Sequence, residues 1–465
     1  MQRLFAIVWL TWKAAFRFRL FLVVAFLLLA SVVGLPLLIK DDGTARGFTQ
    51  ILLTYTLSSI TALLGLSTLW LSCGTLARDI EECQVQMVAV KPIGRWQIWL
   101  GKWLGLVSLN AALLALSGAC VYGLMQWRAT RLPAAQQTIL RQEVLVSRGS
   151  AREDIARRKA EVEAAADALL KERLAKNPVT RADLPEVRRQ ILEQLKAEFQ
   201  VVPPSYVREW RIDLGSAAAS LRDKPLYLRI KFNAAAKSAS GTYDGLWQIG
   251  AQDDKANPPR RLPIMSLAPD TFHEFEIPPN MADAKGILTV AFFNSNDTAL
   301  LFSMEEGMEV LYPEGGFALN YARGLGIVFC WMTLLTTLGL TAASFLSFPV
   351  AAFFSLGVLT LTLSSGTLAG AISDGTLLGY NSETGVSGHS ALDAVIIPVF
   401  RGILAVINLV KNFSPIDSLS SGRSIPWSQL GLAFSQIVLL LGGLLACLGI
   451  FIFTRRELAS AQGNQ

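Results

Sequence analysis

The chain has 465 residues, of which 52% are hydrophobic and 17% are charged. Its mean hydropathy of +0.41 is too high for an ordinary soluble protein and is typical of several membrane spans joined to one water-soluble portion. The net charge of +6 does not indicate nucleic-acid binding, because much of the basic charge flanks apolar segments, where Lys and Arg orient a chain in a membrane.

Cysteine and histidine usage argues against a metal or disulfide framework. The five cysteines all lie outside the polar middle of the chain, and none forms a CxxC pair. The two histidines, His273 and His389, are far apart in sequence. We therefore expect no metal site and no cofactor bound by this chain.

The first nineteen residues form a separate element in this interpretation. Phe5, Trp9, Trp12 and Phe16 fall on one helical face with basic residues beside it. An aromatic face next to a basic one is typical of a helix lying in the membrane interface, so we predict an interfacial amphipathic helix over 1–19. The alternative is a simple extension of the first span.

Six segments are long and apolar enough to cross a hydrocarbon core about 30 Å thick, which takes about 20 helical residues. Three belong to region 20–124 and three to region 321–453. The predicted spans are 20–39, 51–73, 103–124, 324–346, 350–372 and 430–453.

The apolar segment 389–411 is interrupted by Asp393, Pro398 and Arg401. A seventh span would place the two termini on opposite sides of the membrane and spoil the charge bias described next. We therefore predict a re-entrant or interfacial helix on the outer face, and the sequence leaves open which of the two it is.

Basic residues predict the orientation. The N-terminus, the 74–102 loop and the tail 454–465 together carry ten Lys and Arg, against five in the short loops of the opposite side. The richer side is expected to be cytoplasmic. Both termini and the 74–102 loop then lie inside, and residues 125–323 are extracytoplasmic.

Residues 125–204 are predicted to form an extracytoplasmic helical arm. The stretch "REDIARRKAEVEAAADALLKERLAK" is rich in helix-forming residues and ends at Asn177-Pro178. Asp183 and Glu186 are spaced to cap a second helix, which makes a helical hairpin. A solvated helix pair without a partner remains the alternative.

Residues 205–320 predict an antiparallel β-sandwich. "LYLRIKF", "LWQIG", "HEFEI" and "ILTVAFFN" are short β runs separated by Gly, Pro, Asn and Asp. We interpret Trp247 and Phe272 as core residues rather than a sugar-binding platform. Together these patterns predict an α-helical polytopic membrane protein with an inserted α+β domain.

The cytoplasmic stretch "RDIEECQVQMVAVKPIGRWQIWLGKW", residues 78–103, carries the strongest functional signal. Its order is Arg78-Asp79 with Glu81-Glu82, then Pro92, then Arg95, then Gly101-Lys102. This order, together with the ending "FTRREL" at 453–458, resembles the first cytoplasmic loop and the C-terminus of type-2 ABC exporter permeases. The chain departs from that family at Cys83-Gln84, where the family often has Gly-Thr.

The resemblance covers the membrane portion and implies a permease subunit of the bacterial cytoplasmic (inner) membrane. It also implies two copies of an ABC ATPase subunit, which bind ATP and Mg, and a second permease that is identical or similar. This chain has no GxxxxGK[ST] motif, since "LGKW" at 100–103 lacks the following Ser or Thr, and we do not expect it to be an enzyme.

Two groups of residues follow as candidates. A loop helix would contact the ATPase through Arg78, Asp79, Glu81, Glu82, Met87, Pro92 and Arg95. The residues expected to anchor the protein at the bilayer interface are Trp9, Trp12, Trp96, Trp99, Trp103 and Lys102. Without a partner, the charges of the loop would only set topology.

The leading hypothesis is a permease that exports hydrophobic or envelope-related cargo, or a mechanotransmitting complex in which residues 125–320 meet an envelope partner. The rival from another class is a membrane-anchored binding or adhesion protein that uses the β-sandwich. Such a protein needs only one or two spans, and a membrane-embedded enzyme would need more ionisable residues in the spans.

Overall fold

The computed structural model describes residues 2–456 apart from 18, 39–43, 85–92, 141–144, 177–183, 222, 239, 251–257, 284, 305–306 and 375–392. The chain forms two compact units. Met1–Val146 and Gly316–Gln465 make the first, which we call the helical unit. Ser147–Gly315 makes the second, which we call the inserted unit.

In the first half of the helical unit, the described residues form five helices. They are α1 (Gln2–Arg17), α2 (Arg19–Leu38), α3 (Ala45–Glu81), α4 (Arg95–Ala129) and α5 (Ala134–Ile139). Helices α3 and α4, with 37 and 35 residues, extend well beyond the predicted spans 51–73 and 103–124. Much of the predicted 74–102 loop is therefore helix.

The inserted unit begins with β1 (Val146–Ala151) and two long helices, α6 (Ile155–Lys176) and α7 (Leu184–Gln200). Val162 and Ala166 of α6 pack against Ile191 and Leu195 of α7. The predicted cap at Asp183 lies outside the described residues. Strand β1 lies in the region for which the sequence predicted helices only, and that prediction was wrong there.

The remaining elements of the inserted unit are mostly strands, which form one four-stranded, one five-stranded and one three-stranded sheet among the described residues. In chain order they are β2 (Val201–Val202), β3 (Val207–Asp213), α8 (Ala218–Leu221), β4 (Leu226–Ile230), β5 (Asn233–Ala234), β6 (Tyr243–Ile249), β7 (Arg260–Arg261), β8 (Met265–Leu267), β9 (His273–Ile277), β10 (Ile287–Phe293), β11 (Leu300–Leu301) and β12 (Met308–Gly316).

The four-stranded sheet has the order β1-β12-β4-β9. Its antiparallel pairing of β4 with β9 runs from Leu226↔Ile277 to Ile230↔His273. The five-stranded sheet has the order β3-β10-β6-β7, with β8 also paired to β6. The three-stranded sheet has the order β2-β11-β5.

The two larger sheets share one hydrophobic core. Trp247 of β6 packs against Phe292 of β10, with ring centroids 4.5 Å apart, and against Phe275 of β9 at 6.4 Å. The alternating pattern of β6 and β10 places these side chains inside, as expected for half-buried strands.

Phe272 is not a core residue, so that prediction was wrong. It is 43% exposed, immediately before β9, and the cationic groups of Arg229 and Lys231 lie over its ring at 4.1 and 5.0 Å. An aromatic ring can hold such a position because its face attracts cations.

The second half of the helical unit starts directly after β12. It contains α9 (Phe317–Ala343), α10 (Phe348–Leu363), α11 (Ser365–Asp374), α12 (Asp393–Lys411), α13 (Pro415–Ser420), α14 (Trp427–Ala433), a π-helix (Phe434–Gly442) and α15 (Gly443–Arg455).

Among the described residues, five helical segments are long and apolar enough to cross a membrane. They are Thr49–Glu81, Arg95–Ala129, Phe317–Ala343, Val395–Ser420 and Trp427–Arg455. The protein is thus a helical membrane protein with an antiparallel β domain. Four of the five segments overlap predicted spans.

The predicted count of six spans is not confirmed. Segment 20–39 lies in helix α2, but the apolar stretch described there, Val23–Leu35, is shorter than the five spanning segments. Segment 350–372 is divided at Ser364 into α10 and α11. Segment 389–411 is mostly helix α12, whose Pro398 does not end it, and its re-entrant or interfacial placement stays a prediction.

Helix α1 packs on α4 at two glycines. A Cβ added at Gly101 would lie 2.8 Å from Cβ of Ile7, and one added at Gly105 would lie 2.7 Å from Cβ of Thr11. Only glycine permits so close an approach, as is common between helices of membrane proteins. The aromatic residues Phe5, Trp9 and Phe16 of α1 remain exposed.

We predict that Gly105→Val separates α1 from α4. Overpacking of a tight contact typically costs about 1–3 kcal/mol, so the free energy of unfolding should fall by about that amount. Unfolding by titration with a denaturing detergent measures it. Gly123→Val on the same helix is the control, because no atom lies within 4 Å of a Cβ added there. Equal stability of the two variants would contradict the contact.

Candidate functional site

The candidate site lies where α3 ends and α4 begins. Arg78, Asp79 and Glu81 belong to the last turn of α3 rather than to a separate loop helix. Arg95, which was grouped with them, is the first residue of α4. Met87 and Pro92 lie outside the described residues. The prediction of a separate loop helix was therefore wrong for Asp79 and Glu81, which lie at the end of a long helix.

An apolar cluster supports this end of the helical unit. Buried side chains from five helices meet there, since α1, α3, α4, α9 and α15 contribute Ile7, Leu76, Ile98, Trp99, Leu340 and Phe453. The charged ends of α3 and α4 therefore rest on a common packed base. Such packing limits how far one helix end can move without the others.

Lys102 joins α4 to α3. Its side chain is buried, with the residue 7% exposed, and the ammonium group donates to Oδ2 of Asp79 and to the carbonyl of Thr75, the latter at 2.8 Å. A buried ammonium needs such acceptors because its desolvation is costly. Lys102 was predicted to anchor the protein at the interface, and the structure places it between two helices instead.

The position of Asp79 also has an electrostatic consequence. Two acids in the last turn of a helix lie at the negative end of the helix dipole, which is unfavourable for them. The ammonium group of Lys102 offsets this cost for Asp79. The carboxylate of Asp79 therefore already has an ionic partner, Lys102, within this chain.

Arg95 joins α4 to the end of α15. Its Nη1 donates to the carbonyls of Thr454 and Arg456, at 2.9 and 2.8 Å. Carbonyls at a helix C-terminus have no partner within the helix, so the guanidinium satisfies acceptors that the helix leaves open. Arg456 in turn donates to the carbonyl of Ser344, at 3.0 Å. Thr454 and Arg456 of the "FTRREL" ending are in this way tied to α4 and to the end of α9.

Glu81 joins α3 to α10. Its Oε1 accepts a hydrogen bond from the backbone N–H of Phe348, the first residue of α10, at 2.9 Å. The guanidinium of Arg78 lies 4.4 Å from the centre of the Phe348 ring. A carboxylate at a helix N-terminus satisfies a free N–H group and meets the positive end of the dipole. Glu81 therefore has a structural role at α10.

Among the described residues, no hydrogen bond or ion pair joins the side chain of Glu82 to another helix. Oε2 of Glu82 accepts from Nε2 of Gln84 at 2.6 Å, and Glu82 is exposed. Between them Cys83 has φ of 59°, in the left-handed region that favours glycine. Cys83, where the resembled family often has Gly, thus has a backbone conformation that suits Gly.

The six predicted interface anchors do not share one environment. Trp99 is fully buried and donates to Oγ of Ser344 at 3.2 Å. Trp103 donates to Oγ1 of Thr337 at 2.8 Å, and Trp12 donates to Oγ of Ser108 at 2.9 Å. These three indoles bind inside the helical unit, whereas Trp9 and Trp96 are exposed.

A polar contact between α3, α4 and α9 was missed from the sequence. Asn110 is buried; its Oδ1 accepts from Thr68 at 3.0 Å and its Nδ2 donates to Thr336 at 3.2 Å. Hydrogen bonds of this kind hold membrane helices together. An asparagine within a predicted span was the signal that could have found it.

The polar groups described at the site form hydrogen bonds between helices. No group of three or more His, Cys, Asp or Glu that could hold a metal ion occurs in the part of the chain that the structure describes. Comparisons with protein-family models, curated proteins and solved structures gave no match.

We predict that Asp79→Ala destabilises the helical unit more than Lys102→Met. Removing the acid leaves a buried ammonium with the Thr75 carbonyl, whereas removing Lys102 leaves a carboxylate whose side chain is 33% exposed. Breaking a buried pair costs about 3–5 kcal/mol, and partial exposure should reduce this to about 2–3 kcal/mol for Asp79→Ala.

The double variant Asp79→Ala with Lys102→Met should recover part of that loss, because no unpaired buried charge remains. Unfolding in a denaturing detergent provides the free energies, and Lys13→Met, at an exposed cation of α1, is the control. Additive losses in the double variant would show that the two residues do not act as a pair.

Proposed function

We propose that this chain is the membrane subunit of an ATP-driven transporter of the type-2 ABC exporter kind, and that Glu82–Gln84 forms part of its contact with a separate ATPase subunit. The observation that carries the proposal is the convergence of α3, α4, α9, α10 and α15 on the residues of the resembled motif. Arg95, Lys102 and Glu81 each join two of these elements.

This arrangement suits a coupling role for a physical reason. Force from an ATPase moves membrane helices only if the contacted segment is stiff and is joined to several of them. The exposed turn at Glu82 follows a 37-residue helix without a break, and hydrogen bonds attach its neighbours to α10 and α4. A displacement there would act on several helices at once.

Topology and cargo belong to the same proposal. The basic residues favour an inner-membrane protein with both termini and the candidate site in the cytoplasm and the inserted unit outside. The several long apolar helices exceed what an adhesion protein needs as an anchor. The cargo class consistent with the proposal is hydrophobic or envelope-related, or the complex transmits force to an envelope partner.

The test uses charge reversal at Glu82, because this residue is exposed and no hydrogen bond among the described residues joins its side chain to another helix. Glu82→Lys should reduce ATPase retention on the purified membrane subunit, by about tenfold or more in affinity if one charged pair is lost at a buried interface. Retention is measured by co-purification in mild detergent at equal expression. Glu81 is a poor choice, since its replacement would also loosen α10.

Asp223→Lys is the matched control, because Asp223 is exposed in the inserted unit. It should leave ATPase retention and ATP hydrolysis unchanged. If wild-type chain retains no ATPase, the proposed function fails. If Glu82→Lys retains as much ATPase as wild type, the contact does not lie at Glu82–Gln84.

A further inference from the structure

Arg323 lies in the second turn of the spanning helix α9 and is the one charged residue of that helix. The residue is 9% exposed, and its Nε donates to the carbonyl of Leu319 over a long distance of 3.4 Å. Its Nη1 and Nη2 have no acceptor among the described residues, yet neither is a donor that the fold shields from water. These two nitrogens can therefore be reached from outside the chain.

The indole of Trp427 lies beside this guanidinium. The centre of its ring is 5.6 Å from Cζ of Arg323, within the range of cation–π attraction. Trp427 is 61% exposed, and its indole N–H makes no hydrogen bond within the described residues. The two side chains thus present open N–H donors at one place on the surface of the helical unit.

The segment before Trp427 is fixed on α9 by Asn320. This asparagine is fully buried; its Nδ2 donates to the carbonyl of Arg423 at 2.8 Å, and its Oδ1 accepts from the N–H of Ile425 at 2.7 Å. Because both side-chain atoms of the amide are used, the path of the chain toward Trp427 is well determined. The position of the open donors is therefore set before any ligand binds.

Arg323 lies at a depth where lipid headgroups are found. Helix α9 has 27 residues, which is about 40 Å and equals a bilayer with both headgroup regions. Arg323 follows Phe317 by six residues, so it lies about 9 Å along this helix, near the boundary of the hydrocarbon. A charge at this depth is costly without a partner, and lipid phosphates are the anions concentrated there.

We propose that Arg323 and Trp427 form a binding site for the phosphate group of an anionic phospholipid. A guanidinium presents a planar fork of donors that matches two phosphate oxygens. The amphipathic ring of a tryptophan is most favourable at the headgroup level, where Trp427 begins its spanning segment. Basic pockets between spanning helices are a recurring form of lipid headgroup site.

The charges around the site favour a headgroup with net negative charge. Helix α13 packs on α9, since a Cβ added at Gly324 would lie 2.5 Å from Cδ1 of Leu419. The charged residues of α9, α13, α14 and the segment between the last two are Arg323, Arg423 and Asp417. A zwitterionic lipid would bring a further cation to this excess of positive charge, whereas phosphatidylglycerol brings none.

The experiment measures lipid binding to the full chain, delipidated in mild detergent, by native mass spectrometry. Dioleoylphosphatidylglycerol and dioleoylphosphatidylcholine are titrated separately, and inorganic phosphate at millimolar concentration is the competitor. We expect the first phosphatidylglycerol to bind more tightly than the first phosphatidylcholine, and phosphate not to displace it.

Arg323→Gln should weaken binding of the first phosphatidylglycerol about tenfold or more, because it removes the charged fork. Arg131→Gln is the matched control, since Arg131 also lies over a tryptophan, 4.0 Å from the ring of Trp127, but is exposed. It should bind like wild type. Trp427→Leu should weaken binding about threefold, as expected for a lost cation–π contact.

Folding of the variants is checked by their thermal unfolding midpoints. Without lipid, Arg323→Gln should match wild type, because it loses one long hydrogen bond within its own helix. Phosphatidylglycerol should raise the midpoint of wild type more than that of the variant. If Arg323→Gln does not fold, Trp427→Leu at its exposed position decides, and unchanged binding there would overturn the proposal.

Three other results would also overturn it. Equal affinity of wild type for the two lipids, or of Arg323→Gln and wild type for phosphatidylglycerol, would remove the site. An equal loss in Arg131→Gln would reduce the effect to general attraction of the surface for anionic lipid. Displacement by inorganic phosphate would indicate a site for the free anion. The site does not depend on the proposed ATPase contact, so ATPase retention should be unchanged in Arg323→Gln.

Discussion

Helix α4 must lie close to several other helices at once, and the rest of the helical unit depends on the contacts that allow this. Glycines admit its neighbours where backbones approach, as at Gly105 against Thr11 and at Gly118 against Leu325. Polar groups form hydrogen bonds where lipid cannot satisfy them, as Asn110 does with Thr68 and Thr336. Association of membrane helices relies on such packing and hydrogen bonding because lipid is as apolar as the side chains.

The same constraint explains the charged end of the unit. The buried ammonium of Lys102 on α4 needs acceptors, and α3 supplies them at Thr75 and Asp79. Arg95, at the start of the same helix, satisfies carbonyls at the end of α15. Residues that look like a charged loop in the sequence are in this way the connections between helices.

The inserted unit can interrupt the helical unit because its two ends lie side by side. Strand β1 enters it and β12 leaves it, and these strands are neighbours in one sheet. Arg152, which follows β1, donates to Glu309 of β12 at 3.0 Å, and Glu309 is nearly fully buried. Adjacent termini are the condition under which a domain is tolerated as an insertion.

The sequence predicted the elements whose signals are local. Long apolar segments indicated most of the helices, and alternation indicated strands such as β4 and β10. It missed β1 because the stability of that strand comes from β12, which lies far along the chain. It misplaced Asp79 and Glu81 because their partners, Lys102 and the α10 N-terminus, are distant in sequence. The spacing Gly101-x-x-x-Gly105 is typical of close helix contacts and could have predicted the packing of α1 on α4. It was missed because Gly101-Lys102 was interpreted only as part of the loop motif.

Photocrosslinking at Cys83 tests the central claim most directly. Cys83 is exposed beside Glu82, so a benzophenone attached to its thiol samples whatever meets the end of α3. The other four cysteines are replaced by alanine, and Tyr206→Cys in the inserted unit serves as the comparison in a chain that also lacks Cys83. The account predicts that irradiation of native membranes joins the Cys83 probe, and not the position-206 probe, to a protein labelled by photoreactive ATP. Full labelling of Cys83 without any crosslink to an ATP-binding protein would contradict it.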